Sequence, residues 1–109
     1  MTEAQIQPIL DTIVSKIVEN LETEKIILFG SWAKGLATND SDLDLLIVMN
    51  VQGSKRQEAI KVDLLLEGIP LPTDVIVVTP QDIEKYRECP GTIIRQALRE
   101  GKVLYERAA

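Results

Sequence analysis

Gly30-Ser31-Trp32-Ala33-Lys34-Gly35-Leu36-Ala37-Thr38-Asn39-Asp40-Ser41-Asp42-Leu43-Asp44 is the stretch on which the reading of this chain turns. It joins a small-residue turn, suited to holding a phosphate, to two carboxylates one residue apart, which a β-strand would point the same way. Immediately upstream, Ile26-Ile27-Leu28-Phe29 is a short apolar run that stops at Gly30, so a buried strand is expected over Lys25–Phe29. Downstream, Asp42 to Met49 reads as a second strand, with Asp42 and Asp44 sharing one face at its start and Leu45-Leu46-Ile47-Val48-Met49 buried on both faces. Between the two there is room for barely more than a turn of helix, Trp32 to Leu36, which Gly35 helps to end, and then for a Thr38-Asn39-Asp40 loop.

Further out, residues 2 to 21 carry Ile6, Ile9, Leu10, Ile13, Val14, Ile17, Val18 and Leu21 at three- and four-residue spacing, the apolar face of a core-packing helix. Pro8 places the regular part near Gln7, with a kinked start at Thr2 as the alternative. Ser54 is an N-cap for a helix to about Glu67, closed by Gly68. Ile69-Pro70-Leu71-Pro72 is extended, and Thr73 to Val78 is a third strand with Asp74 at its start. Thr79-Pro80 opens a helix towards Arg87, Pro90-Gly91 breaks it, a helix from Thr92 to Glu100 follows, and Val103-Leu104-Tyr105 is a last short strand.

Strand directions follow from where the polar residues fall. Gly30-Ser31 closes the first strand, whereas Asp42 and Asp74 open the second and third. If these positions meet, the second strand runs antiparallel to the first and parallel to the third. The connections agree, because the link before Asp42 is about the shortest a parallel crossover allows, while the link before Thr73 holds a helix of crossover length. The expected fold is α/β (α+β): a mixed sheet of about four strands with helices packed against it and the site at one edge.

The 109 residues are expected to form a single domain, 1–109. No run approaches the roughly 20 apolar residues of a membrane span, and Met1 to Gln7 lacks the pattern of a secretory signal, so a cytoplasmic protein without a membrane partner is expected. The chain has no histidine, which removes the commonest general base, the usual zinc ligand and any Ser-His or Cys-His machinery. A net charge of -5 without a Lys/Arg cluster argues against a long nucleic-acid partner. The lone Cys89 reads as an inert loop thiol, and Tyr86 and Tyr105 as packed or exposed rings.

Carboxylates around a phosphate-holding turn suit phosphoryl or nucleotidyl transfer, in which two divalent ions roughly 3.5 to 4 Å apart hold the attacking and leaving oxygens. Asp42 and Asp44 lie roughly 6.6 Å apart along a strand, and Asp74 could complete one ion's shell and take a proton from an attacking hydroxyl. Gly30 lets the backbone approach a phosphate, Ser31 offers a hydroxyl and an amide, and Lys34 is within reach of a leaving pyrophosphate. Asp40 and Asp63 fall outside this pattern, and Trp32 reads as packing or covering the edge of the site.

Gly30-Ser31, ten intervening residues and then Asp42-Leu43-Asp44 resembles the signature of the polymerase β-like nucleotidyltransferase superfamily, and the short form resembles its minimal nucleotidyltransferases (MNT). The resemblance implies the polymerase β-like nucleotidyltransferase fold and transfer of a nucleoside monophosphate, AMP from ATP, with two Mg2+ ions and pyrophosphate leaving. On matching positions it implies that Gly30 and Ser31 hold the triphosphate, that Asp42 and Asp44 bind metal, and that Asp74 is third ligand and base. Many members carry arginine between the Gly-Ser and the acid pair, where this chain has Trp32-Ala33-Lys34-Gly35. The minimal forms resemble antitoxins paired with a helical HEPN toxin, some of which transfer AMP to a tyrosine of that partner. The alternatives are a sterically acting antitoxin of the same fold and an antibiotic-type small-molecule nucleotidyltransferase.

Overall fold

Alternation along the strands sorts the apolar residues into two layers, one on each face of a sheet. In the computed structural model, which describes residues 2–108, the elements run α1 (Glu3–Asn20), β1 (Lys25–Phe29), α2 (Ser31–Lys34), β2 (Leu43–Val48), α3 (Lys55–Leu65), β3 (Thr73–Val78), α4 (Pro80–Tyr86), α5 (Ile93–Glu100) and β4 (Lys102–Glu106). The strands lie in the order β3-β2-β1-β4. β2 is antiparallel to β1 and parallel to β3, and β4 is antiparallel to β1. The mixed four-stranded sheet and the strand directions are those expected from the placement of the polar residues.

On one face Ile26, Leu28, Leu43, Leu45, Ile47 and Val77 meet Ile6, Leu10, Ile13 and Ile17 of α1, Val62 of α3 and Trp32 and Ala33 of α2. On the other, Ile27, Phe29, Leu46, Val48 and Val78 meet Ile94 and Ala97 of α5. The second layer is the smaller of the two, and α4 closes it with half-buried Ile83 and Tyr86. Gly101 lets α5 come down onto β1, since a Cβ there would overlap the carbonyl of Ala97 and the side chain of Ile27.

Some boundaries differ from the sequence reading for local reasons. α1 starts at Glu3 rather than near Gln7, because Thr2 and Gln5 form a reciprocal cap: the Thr2 amide donates to Oε1 of Gln5 at 2.7 Å and the Gln5 amide to Oγ1 of Thr2 at 3.2 Å. Pro8 therefore sits inside the helix, which forgoes one backbone hydrogen bond. β2 begins at Leu43 rather than Asp42, since β1 ends opposite Asp44 and the ladder to β3 ends at Leu43 and Thr73. α3 stops at Leu65, short of Glu67. β4 spans Lys102–Glu106, longer than the expected three residues, and a bulge shifts its register between Ile26 and Ile27. No helix among the described residues is long and apolar enough to cross a membrane.

Candidate active site

Register brings the acids together. Asp44 lies across from Phe29 of β1 on one side and from Asp74 of β3 on the other, so Phe29, Asp44 and Asp74 form one transverse row. By alternation Asp44 shares its face with Leu46 and Val48, and Asp74 shares it with Ile76 and Val78. All three positions lie where β1 ends and β2 and β3 begin. Asp42, two residues ahead of Asp44, is exposed just outside the ladder, and Asp74 is also exposed, whereas Asp44 is half-buried.

Electrostatics reports the same convergence. The Asp44 carboxyl is held above the ordinary carboxylate range, first by burial and then by the negative charges of Asp74 and Asp42. Like charges on adjacent strands are destabilising unless a counter-charge joins them. Among the described residues no group of three acids stands close enough to cage an ion by itself. The donor set nevertheless fits a hard divalent cation, because Mg2+ is commonly bound through one or two carboxylates with substrate phosphates and water completing the shell.

Gly30 explains how the turn and the acids share the space. Its φ of 75° and ψ of -155° belong to a region that residues with a side chain avoid. A Cβ at Gly30 would overlap Oδ2 of Asp44 and stand 3.1 Å from its Cγ, so the bare backbone is what lets Asp44 lie against the turn. Ser31 follows as the first residue of α2, half-buried. One turn of helix carries little macrodipole, so any phosphate grip here depends on local amide and hydroxyl donors. Gly35, at φ 73°, ends the turn and returns its amide to the Ser31 carbonyl.

Lys34 is exposed and ion-paired with Glu100 at the end of α5, Nζ to Oε2 2.9 Å. It thus stands beside the site with an anion already in hand. An exposed pair of this kind is worth roughly 0.2 to 1 kcal/mol, little enough for a polyphosphate to displace. Trp32 is packed, 5% exposed, with its indole Nε1–H donating to the Ser41 carbonyl at 3.1 Å. Asp40 and Asp63 are exposed and apart from the row, and Cys89 is an exposed free thiol. Sequence reasoning missed two contacts, the Lys34–Glu100 pair and the Trp32–Ser41 hydrogen bond. Neither has a signature in spacing, because each joins residues that only the folded chain makes neighbours.

Comparison with known proteins points one way. Residues 11–109 match the family model described as polymerase beta, nucleotidyltransferase. A Methanocaldococcus jannaschii protein, provisionally named a protein adenylyltransferase, is 32% identical over an alignment covering 98% of this chain and 76% of the relative. A provisionally assigned nucleotidyltransferase from Sulfolobus solfataricus has the same fold at a TM-score of 0.66, with 22% identity, 96% of this chain and 86% of that one covered. A further fold match, at a TM-score of 0.56 and 18% identity with 93% of this chain and 72% of that one covered, comes from a complex of a tri-AMPylated Shewanella oneidensis HEPN toxin with an MNT antitoxin.

Proposed function

The chain belongs to the polymerase beta nucleotidyltransferase family, and on that premise we propose that it transfers AMP from ATP to a tyrosine hydroxyl of a HEPN-type toxin and so acts as that toxin's antitoxin. The observation that carries the reading is the convergence at the transverse row: Asp44 lies against Gly30 and directly across from Asp74, with Asp42 close enough for its charge to be felt. The relative named a protein adenylyltransferase and the AMPylated toxin complex support protein as the acceptor class and AMP as the group.

In this reading Gly30 and Ser31 hold the triphosphate, and Lys34 exchanges Glu100 for the departing phosphates. Asp42, Asp44 and Asp74 hold Mg2+, which when bound supplies counter-charge for the phosphates and the developing negative charge. The acceptor oxygen forms a bond to the α-phosphorus as the bond to the β-phosphate oxygen breaks, and pyrophosphate leaves with that electron pair. Asp74, which is exposed, takes the proton from the attacking hydroxyl. Residues 1–109 carry this as one domain, with the acceptor pocket furnished by the toxin.

Transfer of labelled AMP to a purified HEPN-type toxin tests the reading. Label on a toxin tyrosine that depends on Mg2+ is the expected result, and unlabelled toxin with intact ATP would sink it. Exposed Ile60 and Leu64, one turn apart on α3 at 50% and 66%, favour a second reading in which the chain neutralises the toxin by covering it. Full neutralisation in cells by the Asp42→Asn, Asp44→Asn double variant would decide for that alternative.

A further inference from the structure

Of the three acids, Asp44 and Asp74 are set by a sheet ladder, and Asp42 is not. Asp42 is nonetheless bracketed. The peptide group before it is held at the Ser41 carbonyl by the Trp32 indole N–H, 3.1 Å, and the peptide group after it is held at the Leu43 amide by the Pro72 carbonyl, 2.9 Å. With both flanking peptide planes tied, the two backbone dihedrals of Asp42 have little freedom left.

The residues leading into Asp42 are tied as well. The Thr38 amide donates to Oγ of Ser41 at 2.8 Å, and the Ser41 amide donates to the Thr38 carbonyl at 3.0 Å. This small closed turn has no ladder of its own, and at Ser41 the indole ties it to the body of the protein. The Trp32 ring is itself locked, 5% exposed within the larger apolar layer, one residue after Ser31. A buried N–H needs a partner, and here the acceptor is the carbonyl next to the acid.

We infer that Trp32 is the positioning residue for Asp42: its indole N–H pins the Ser41–Asp42 peptide, tying the phosphate-holding turn to the one acid outside the sheet. The inference rests on the proposed role of Asp42 as a metal ligand, but its geometric half can be read without metal. Trp32 touches no reacting atom. It acts by reducing the entropy lost when Asp42 closes on a cation, as outer-shell partners do for ligands elsewhere.

Two variants separate the hydrogen bond from the bulk. Trp32→Phe removes the N–H and some volume, and replacement of Trp32 by benzothienylalanine removes the N–H while keeping the shape, so it serves if the Phe variant is poorly folded. The first measurement is the NMR order parameter of the Asp42 amide in the free protein. A wild-type value near 0.85, falling below about 0.6 in the benzothienylalanine protein, is expected. The second is Mn2+ affinity in the presence of a non-hydrolysable ATP analogue, expected to weaken about tenfold. In an Asp42→Asn background the Trp32 change should add no further loss.

An unchanged Asp42 order parameter in folded variants would overturn the inference. So would undiminished Mn2+ binding, or an equal loss with and without Asp42, which would mark Trp32 as general scaffold. Wild-type protein that fails to bind Mn2+ with a rigid, Trp32-dependent Asp42 would count against the nucleotidyl-transfer reading and leave the positioning role standing.

Discussion

The two faces of one sheet are built from alternate residues of the same strands, yet they end differently at the rim where β2 begins. On the larger face Leu43 and Leu45 are fully buried beneath a layer to which α1, α2 and α3 contribute. On the smaller face the corresponding position is Asp44, with exposed Asp42 just ahead of the strand, and the layer formed with α4 and α5 covers only the residues beyond. Alternation through Leu43-Asp44-Leu45 thus sends stability to one side and charge to the other. The proposed site lies where the second layer runs out of helix, which leaves the Asp42 and Asp74 carboxylates open to water while their backbones remain in or beside a rigid sheet.

Adjacent residues on opposite faces make the sharpest test of that contrast. Asp44→Asn should lower AMP transfer by at least about a hundredfold, because it removes a charge from a preorganised site, and unchanged transfer would break the assignment. Leu45→Ala, its immediate neighbour, should destabilise the fold by about 2 to 5 kcal/mol in a denaturant titration, with activity per folded molecule retained. If Leu45→Ala removed activity from fully folded protein, the separation of the two faces would be wrong.

Gly30→Ala strikes both at once. It forces a side chain into a backbone conformation costing of order 1 to 3 kcal/mol and into the space of Asp44, so both the unfolding midpoint and transfer should fall. A variant that lost neither would show that Asp44 need not lie against the turn.

A smaller effect appears in pH dependence. Because the Asp44 carboxyl is raised in the folded protein above its unfolded value of 3.8, the folded state binds more protons than the unfolded state between the two values. Its contribution to stability is present below 3.8 and is lost as pH rises through the folded value. At neutral pH Asp44→Asn should therefore raise the melting temperature slightly even as transfer falls, and the gain should vanish in acid. Asp82 shows the opposite sign. Its carboxyl is lowered by the Thr79 amide and by Lys55, so its stabilisation is present above 3.8 and fades as pH falls through the folded value. Asp82→Asn should cost stability at neutral pH with transfer unchanged. Smallest of all, Glu100→Gln should leave stability within about 1 kcal/mol and shift the KM for ATP by no more than a few-fold.

Most of the fold was legible because its signals are local. Apolar spacing in Ile6 to Leu21 marks α1, the apolar runs at 26–29 and 45–49 mark buried strands, and Thr79-Pro80 marks the start of α4. Even the strand directions could be read, since they follow from which end of each strand carries Gly30-Ser31, Asp42 or Asp74. The start of α1 stays open between Gln7 and Thr2 in the sequence because Pro8 is a strong local signal, and the reciprocal cap of Thr2 and Gln5 decides for the earlier start.

What the amino-acid order by itself determined is therefore the set of elements, set by neighbours within a few positions, and the strand directions that follow if Gly30-Ser31, Asp42 and Asp74 are to meet at one rim. Only the tertiary structure decided that Asp74 falls directly across from Asp44, that Gly30 lies beneath that carboxylate, that Lys34 rests on Glu100, and that Trp32 reaches the Ser41 carbonyl. Those contacts depend on register and on how helices settle onto the sheet. Register is selected by burying a whole face at once, so it leaves no mark on any single stretch of sequence.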